Sequence, residues 1–295
     1  MFELNGYLDE RRRRIDTALD VRLPSRITRP AVLHDAMRYA VMAGGKRLRP
    51  ILCLAACEAI TGNQEPALLP GLAIEILHAY TLIHDDLPCM DDDDLRRGLP
   101  TCHVKFGEAN ALLAGDALLT LAFEWLAESG APPPYTTAHL ALELARAAGS
   151  QGVIGGQVED LAAEGRAADA DLVDYIHRHK TAALIRAALR LGGMCGGAPA
   201  AQLDALTRYG EASGLAFQIA DDILNATSTS EQLGKPVGSD HERGKLTYVA
   251  VHGLDASCRR AEALIREALD ATECLPGAAV EPLRALAEHS IRRAS

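Results

Sequence analysis

Residues 66–97 read PALLPGLAIEILHAYTLIHDDLPCMDDDDLRR, an apolar run that ends abruptly in acid. The run is long and apolar enough for a buried helix. It then delivers Asp85, Asp86, Asp91, Asp92, Asp93 and Asp94, six carboxylates within ten residues. Like charges in partial burial raise one another's pKa values unless cations sit among them. A merely solvated acidic loop fits poorly at the end of so apolar a helix. Pro88 cannot continue a regular helix without losing a backbone hydrogen bond. The chain is therefore expected to distort after Asp86 and to fold Asp91 back toward Asp85, so that the two carboxylates share a metal.

A second acidic patch, Phe217-Gln218-Ile219-Ala220-Asp221-Asp222-Ile223-Leu224-Asn225, repeats the arrangement. Gln218, Asp221, Asp222 and Asn225 stand at i, i+3, i+4 and i+7, which places them on one helical face. Alone this would equally be the wet side of an amphipathic helix. Paired with the first patch, it reads as the other half of a cation site. Oxygen donors without a His or Cys cluster select a hard cation. Mg²⁺ takes one or two carboxylates and completes its octahedron with water and substrate phosphate oxygens, whereas no EF-hand loop is present for Ca²⁺.

The composition around these patches agrees with a helical protein. The 295 residues are 48% hydrophobic and only 4% aromatic, and the apolar content is mostly Ala and Leu, strong helix formers. Helices are expected near 31–43, 48–60, 66–87, 108–129, 135–149, 151–164, 169–192, 200–227, 245–252, 256–271 and 279–293, without a long linker, so 1–295 reads as a single domain. Thirty Lys and Arg against forty Asp and Glu give a net charge of −10, which disfavours nucleic acid as a partner. Seven cysteines without a CxxC pair suit reduced thiols and a cytoplasmic location. Residues 1–20 lack the apolar region of a secretory signal. Asp116, Arg186 and Arg190 interrupt the apolar stretches, so no membrane span is expected. The run Arg11–Arg14 is expected to be a solvated helix face.

Cations are grouped as if to meet a phosphate. Gly44-Gly45-Lys46-Arg47-Leu48-Arg49-Pro50 sets three of them at a helix start, where free N–H groups and the helix dipole also favour anions. It lacks the spacing and the Lys-Ser/Thr ending of a Walker A loop. Arg96-Arg97 follow the acidic run, and arginine forks bind phosphate oxygens bidentately. Lys180-Thr181, Lys235 and Lys245 add donors.

These segments resemble the short-chain trans-prenyltransferases, the polyprenyl synthetase family of farnesyl and geranylgeranyl diphosphate synthases. Residues 44–50 resemble the family's GGKRxRP, Asp85 to Asp91 its first DDxxxxD and Phe217 to Asn225 its FQxxDDxxD. Gly234 to Asp240 and Gly244 to Tyr248 resemble its GKxxGxD and KxTY. The resemblance implies an all-α antiparallel helical bundle around a deep central apolar cavity, usually a homodimer. It implies that Lys46, Arg49, His78 and Arg97 hold isopentenyl diphosphate. Arg96, Lys180, Thr181, Gln218, Lys235 and Lys245 would hold the allylic diphosphate, dimethylallyl or geranyl. Asp85, Asp91 and Asp221 would be the principal Mg²⁺ ligands, with Asp86 and Asp222 close by. The family's chemistry uses roughly three Mg²⁺ ions per site, or Mn²⁺ in their place, to assist ionisation. The catalytic set on this reading is Asp85, Asp86, Asp91, Arg96, Lys180, Asp221 and Lys235.

One departure stands out. The last Asp of the second motif is Asn225, which keeps an oxygen acceptor but loses a charge. The residues four and five positions before Asp85, Thr81 and Tyr80, form the floor beneath the growing chain in the family. Five helical residues span about 7.5 Å, so Tyr80 together with the insertion Pro88-Cys89 implies a stop at farnesyl diphosphate, C15. A geranylgeranyl synthase, C20, shares every motif and differs only at the floor. A terpene cyclase would not need the isopentenyl set, and a non-catalytic partner subunit would be expected to have lost an acidic motif.

Overall fold

A computed structural model describes residues 2–167, 169–227 and 245–292. The helices are α1 (Leu4–Arg22), α2 (Ala31–Met42), α3 (Leu48–Thr61), α4 (Leu68–Asp85), α5 (Cys102–Phe106), α6 (Glu108–Glu128), α7 (Thr137–Ala148), α8 (Val153–Ala163), α9 (Ala170–Ile176), α10 (Ala183–Cys195), α11 (Ala200–Thr227), α12 (Tyr248–His252), α13 (Leu254–Ala271) and α14 (Glu281–Arg292). A π-helical turn, His177–Ala182, joins α9 to α10. Among the described residues the strands are β1 (Leu95–Arg96) and β2 (Leu99–Pro100), an antiparallel pair. The all-α expectation holds.

Burial follows hydropathy. Helix α4 is enclosed by α3 and α6, and α10 by α3 and α11. One continuous apolar core runs from Tyr7 to Ala287, with a small satellite of Ala163, Val173, Ile176 and Leu246. Small residues set the closest helix approach: a Cβ on Gly192 of α10 would lie 2.1 Å from the Cys53 carbonyl oxygen of α3. Two segments, Glu65–Asp85 and Glu108–Glu128, are long and apolar enough to cross a bilayer, and 67% of the first is buried inside the protein.

Several expectations are corrected. A helix was expected at Arg11–Arg14 but given no bounds, because the buried face of α1 is narrow: Tyr7, Arg11, Ile15 and Leu19. Arg11 is not a solvated cation but lies 4.4 Å over the Tyr7 ring and pairs with Glu10 and Glu58. The segment 169–192 is not one α-helix, since the π turn divides it.

Arg47 is a further correction. It is only 4% exposed and donates to Asp16, to the Val41 carbonyl and, at 2.8 Å, to buried Glu75 of α4. It is a strut between α1, α2 and α4, not a surface phosphate donor. Its burial opposes the charge, but Glu75 and Asp16 hold the guanidinium protonated. Replacing Arg47 by Met would strand the Glu75 carboxylate and cost about 3 kcal/mol or more, most of which Arg47→Met with Glu75→Leu should recover. Thermal unfolding of the single and double variants checks this; equal losses in both would contradict it.

Candidate active site

The first acidic motif is built by helix termination. Helix α4 ends at Asp85, and Asp86, Leu87 and Met90 turn the chain back on itself. The Asp91 N–H donates to the Asp85 carbonyl at 2.8 Å, and Asp92 takes φ 52°. The distortion expected of Pro88 thus returns Asp91 to Asp85. Burial, opposed by Lys180 and reinforced by Asp91, pushes the Asp85 carboxyl up to about 6. A buried carboxyl so raised beside specific charged partners marks a candidate functional site.

Two arginines arrive on the β-hairpin. Arg97 and Gly98 form its two-residue loop with φ 55° and 75°, the signs a type I′ turn requires. The turn separates the two guanidiniums. Arg96 forks onto Asp86 with contacts of 2.8, 2.9 and 2.5 Å. Arg97 reaches back to donate to the Gly44 carbonyl. A Cβ on Gly45 would lie 2.8 Å from Arg97 Nη1 and displace that guanidinium, and the φ of 140° at Gly45 itself favours glycine.

The other expected isopentenyl residues converge nearby. Arg49 Nε is buried without a hydrogen-bond partner, and burial lowers its guanidinium to about 10, still charged at neutral pH. Burial, then Arg49 and Arg97, push the His78 imidazolium well below its usual range, so the ring is neutral. Lys46 is exposed beside them.

The second motif and its cations are joined through the π turn. Lys180 Nζ lies 2.6 Å from Asp160 of α8, and Thr181 donates to Gln218 at 2.7 Å. Gln218 donates to Asp222 at 3.1 Å. Lys180 also acts on Asp85, so the turn stands between the two motifs. Single π turns recur at functional sites because they re-aim consecutive side chains. Lys245 Nζ lies 3.3 Å from Asp91. Lys235 falls outside the described residues.

Asp86 and Asp222, expected close to the metal, each have protein partners. Asp86 pairs with Arg96, and Asp222, 4% exposed, accepts the Tyr248 N–H at 2.6 Å. Asp160 and His177 were not singled out by the sequence. Asp160 was hidden because adjacent acids, Glu159 and Asp160, read as ordinary helix surface. Gln157 shares its face and has a buried, unpartnered Nε2, and this i, i+3 polar pair was the available clue.

Among the described residues no three His, Cys, Asp or Glu side chains form a ready metal cluster. The oxygen donors of Asp85 and Asp91 suit a hard cation such as Mg²⁺, and the raised Asp85 carboxyl fits a cation arriving beside it. At the floor positions, Thr81 donates to the His78 carbonyl at 2.8 Å. Tyr80 is 5% exposed with a buried, unpartnered hydroxyl, pushed up to about 12 by burial and then by Asp85.

Because the folded pKa of Asp85 is raised, its ionised form penalises the metal-free fold above about pH 6, and the penalty fades as pH falls toward 4. Asp85→Asn should therefore raise the metal-free Tm at pH 7.5 by about 2 °C or more, with a shrinking gain on acidification. Thermal scans across pH check this; a gain that grows toward low pH would contradict it.

The polyprenyl synthetase family model matches residues 30–279. The chain is 43% identical to geranylgeranyl pyrophosphate synthase 11 of Arabidopsis thaliana over 98% of its own length and 82% of that protein's. It is 44% identical to a geranylgeranyl pyrophosphate synthase of Capsicum annuum, covering 98% and 78%. Among solved structures, an FPP/GFPP synthase from Zymomonas mobilis superposes with TM-score 0.85 at 37% identity, covering 97% of this chain and 98% of that one. Geranylgeranyl pyrophosphate synthetase from Pyrococcus horikoshii gives TM-score 0.90 at 32% identity, covering 98% of each. With its helical bundle and paired acidic motifs, the chain belongs to the polyprenyl synthetase family of trans-prenyltransferases.

Proposed function

We propose that this protein condenses isopentenyl diphosphate with allylic diphosphates and elongates them to geranylgeranyl diphosphate. The observation that carries the reaction is the bridging of the two acidic motifs by Lys180 and by the Lys245–Tyr248 segment. Carboxylates and cations are interleaved there as a metal–diphosphate complex requires. Lys180, Lys245 and Arg96 donate to the allylic diphosphate and favour its charge as the C–O bond breaks. Lys46, Arg49, Arg97 and neutral His78 hold isopentenyl diphosphate, whose double bond attacks the allylic carbon. The proton then lost goes to the released diphosphate. Bound Mg²⁺, at Asp85, Asp91 and Asp221, would supply Lewis-acid neutralisation of the leaving group.

The C20 assignment rests on the names of the curated relatives, which favour it over the C15 stop expected from the sequence. Tyr80 favours C15 as the second reading, because an aromatic ring is buried five residues before Asp85. A homodimer is proposed from α6: its segment is apolar but only 39% buried, with Leu112 and Leu113 about half exposed. A second copy covering it would appear as twice the chain mass by light scattering; a monomer would contradict this. The cytoplasm is the proposed compartment, supported by seven free cysteines.

Incubation with isopentenyl and geranyl diphosphates should give prenyl products with Mg²⁺ and none with chelator. A C20 alcohol after dephosphorylation supports the leading reading and a C15 alcohol the second, whereas no product contradicts both. If the stop is C15, Tyr80→Ala should lengthen the product. Asn225→Asp adds a carboxylate to the metal-facing helix and should lower the Mg²⁺ concentration for half-maximal rate; an unchanged value would show that position 225 does not touch the metal shell.

A further inference from the structure

Residues 245–248 cross the site as a strap. Lys245 meets Asp91, Leu246 is buried in the satellite core with Ala163, Val173 and Ile176, and Tyr248 opens α12. Helix α12 has five residues, too few to stand without outside support. Its first N–H groups need acceptors. Thr247 takes the Ala250 N–H at 3.2 Å, and Asp222 takes the Tyr248 N–H at 2.6 Å. The Tyr248 ring also stacks on His177 of the π turn, with centroids 6.1 Å apart.

Asp222 is embedded accordingly. Its Oδ2 faces the Tyr248 N–H and lies 3.4 Å from His177 Nε2, while Oδ1 accepts from Gln218. Its neighbour Asp221 is less buried. A carboxylate at 4% exposure that accepts hydrogen bonds through both oxygens, one of them at 2.6 Å, is anchored in the protein.

We propose that Asp222 is a positioning residue rather than a metal ligand: it seats the Lys245–Tyr248 strap and thereby places Lys245 at the first acidic motif. The two aspartates of the second motif then divide the work. Asp221 serves the metal, and Asp222 fixes the cation that arrives from the far end of the chain. The inference deepens the prenyl-transfer reading and rests on it for the purpose of the strap, but the seating itself is measurable without catalysis.

Hydrogen–deuterium exchange of the full-length, metal-free protein tests it. Asp222→Ala should speed exchange over 245–252 by about tenfold or more, and Asp222→Asn, which keeps an acceptor oxygen, by much less. Tyr248→Pro deletes the donor at the first helical position, where proline is tolerated, and should loosen the same segment even if Asp222→Ala fails to fold. The second readout is thermal stabilisation by Mg²⁺ with inorganic pyrophosphate. Half-saturating Mg²⁺ should stay within about twofold in Asp222→Asn and rise about tenfold in Asp221→Asn. Unchanged exchange in Asp222→Ala and Tyr248→Pro would overturn the proposal. So would a tenfold loss of Mg²⁺ response in Asp222→Asn with exchange intact. Loosening of the strap, with no pyrophosphate response in any form including wild type, would uphold the seating and count against the prenyl-transfer reading instead.

Discussion

Burial of an acidic motif at the end of α4 is the constraint on which the rest of the site depends. Burial alone pushes Asp85 up, and Asp91 and Asp86 push it further. The fold answers with cations from three separate segments: Arg96 on the hairpin, Lys180 on the π turn and Lys245 on the strap. None of these is close in sequence to all the acids it serves. The bundle is therefore a device for bringing distant charges to one place, and its core helices are apolar because they need only hold that geometry.

Local backbone irregularities do the aiming. The chain reversal after Asp86 turns Asp91 back to Asp85, the positive φ at Arg97 splits two adjacent arginines between two tasks, and the π turn lets Lys180 and Thr181 address different helices. Gly45, at φ 140°, lets the backbone pass beside the Arg97 guanidinium. Each departs from regular structure where a polar side chain has to be delivered.

The helices and both acidic motifs were legible in the sequence because apolar periodicity and carboxylate spacing are local signals. So was the effect of Pro88, which acts on its own backbone. What was not legible depends on partners distant in sequence. Arg47 reads like its neighbours Lys46 and Arg49, yet Glu75, 28 residues on, makes it a buried strut. The partners of Asp86 and Asp222, Arg96 and the Tyr248 N–H, carry no spacing signal that would reveal them in the sequence. The bounds of α1 hid because it buries one narrow, partly polar stripe, and the π turn because no residue type marks it.

The most direct test is to locate the ions. A crystal structure of the protein with Mn²⁺ and inorganic pyrophosphate, with manganese identified by anomalous scattering, should place the metal between pyrophosphate and the carboxylates of Asp85, Asp91 and Asp221, with Lys180 and Lys245 on the phosphate oxygens. Manganese and pyrophosphate bound away from these residues, or metal ligated by Asp222 in place of Asp221, would contradict the division of charge described above.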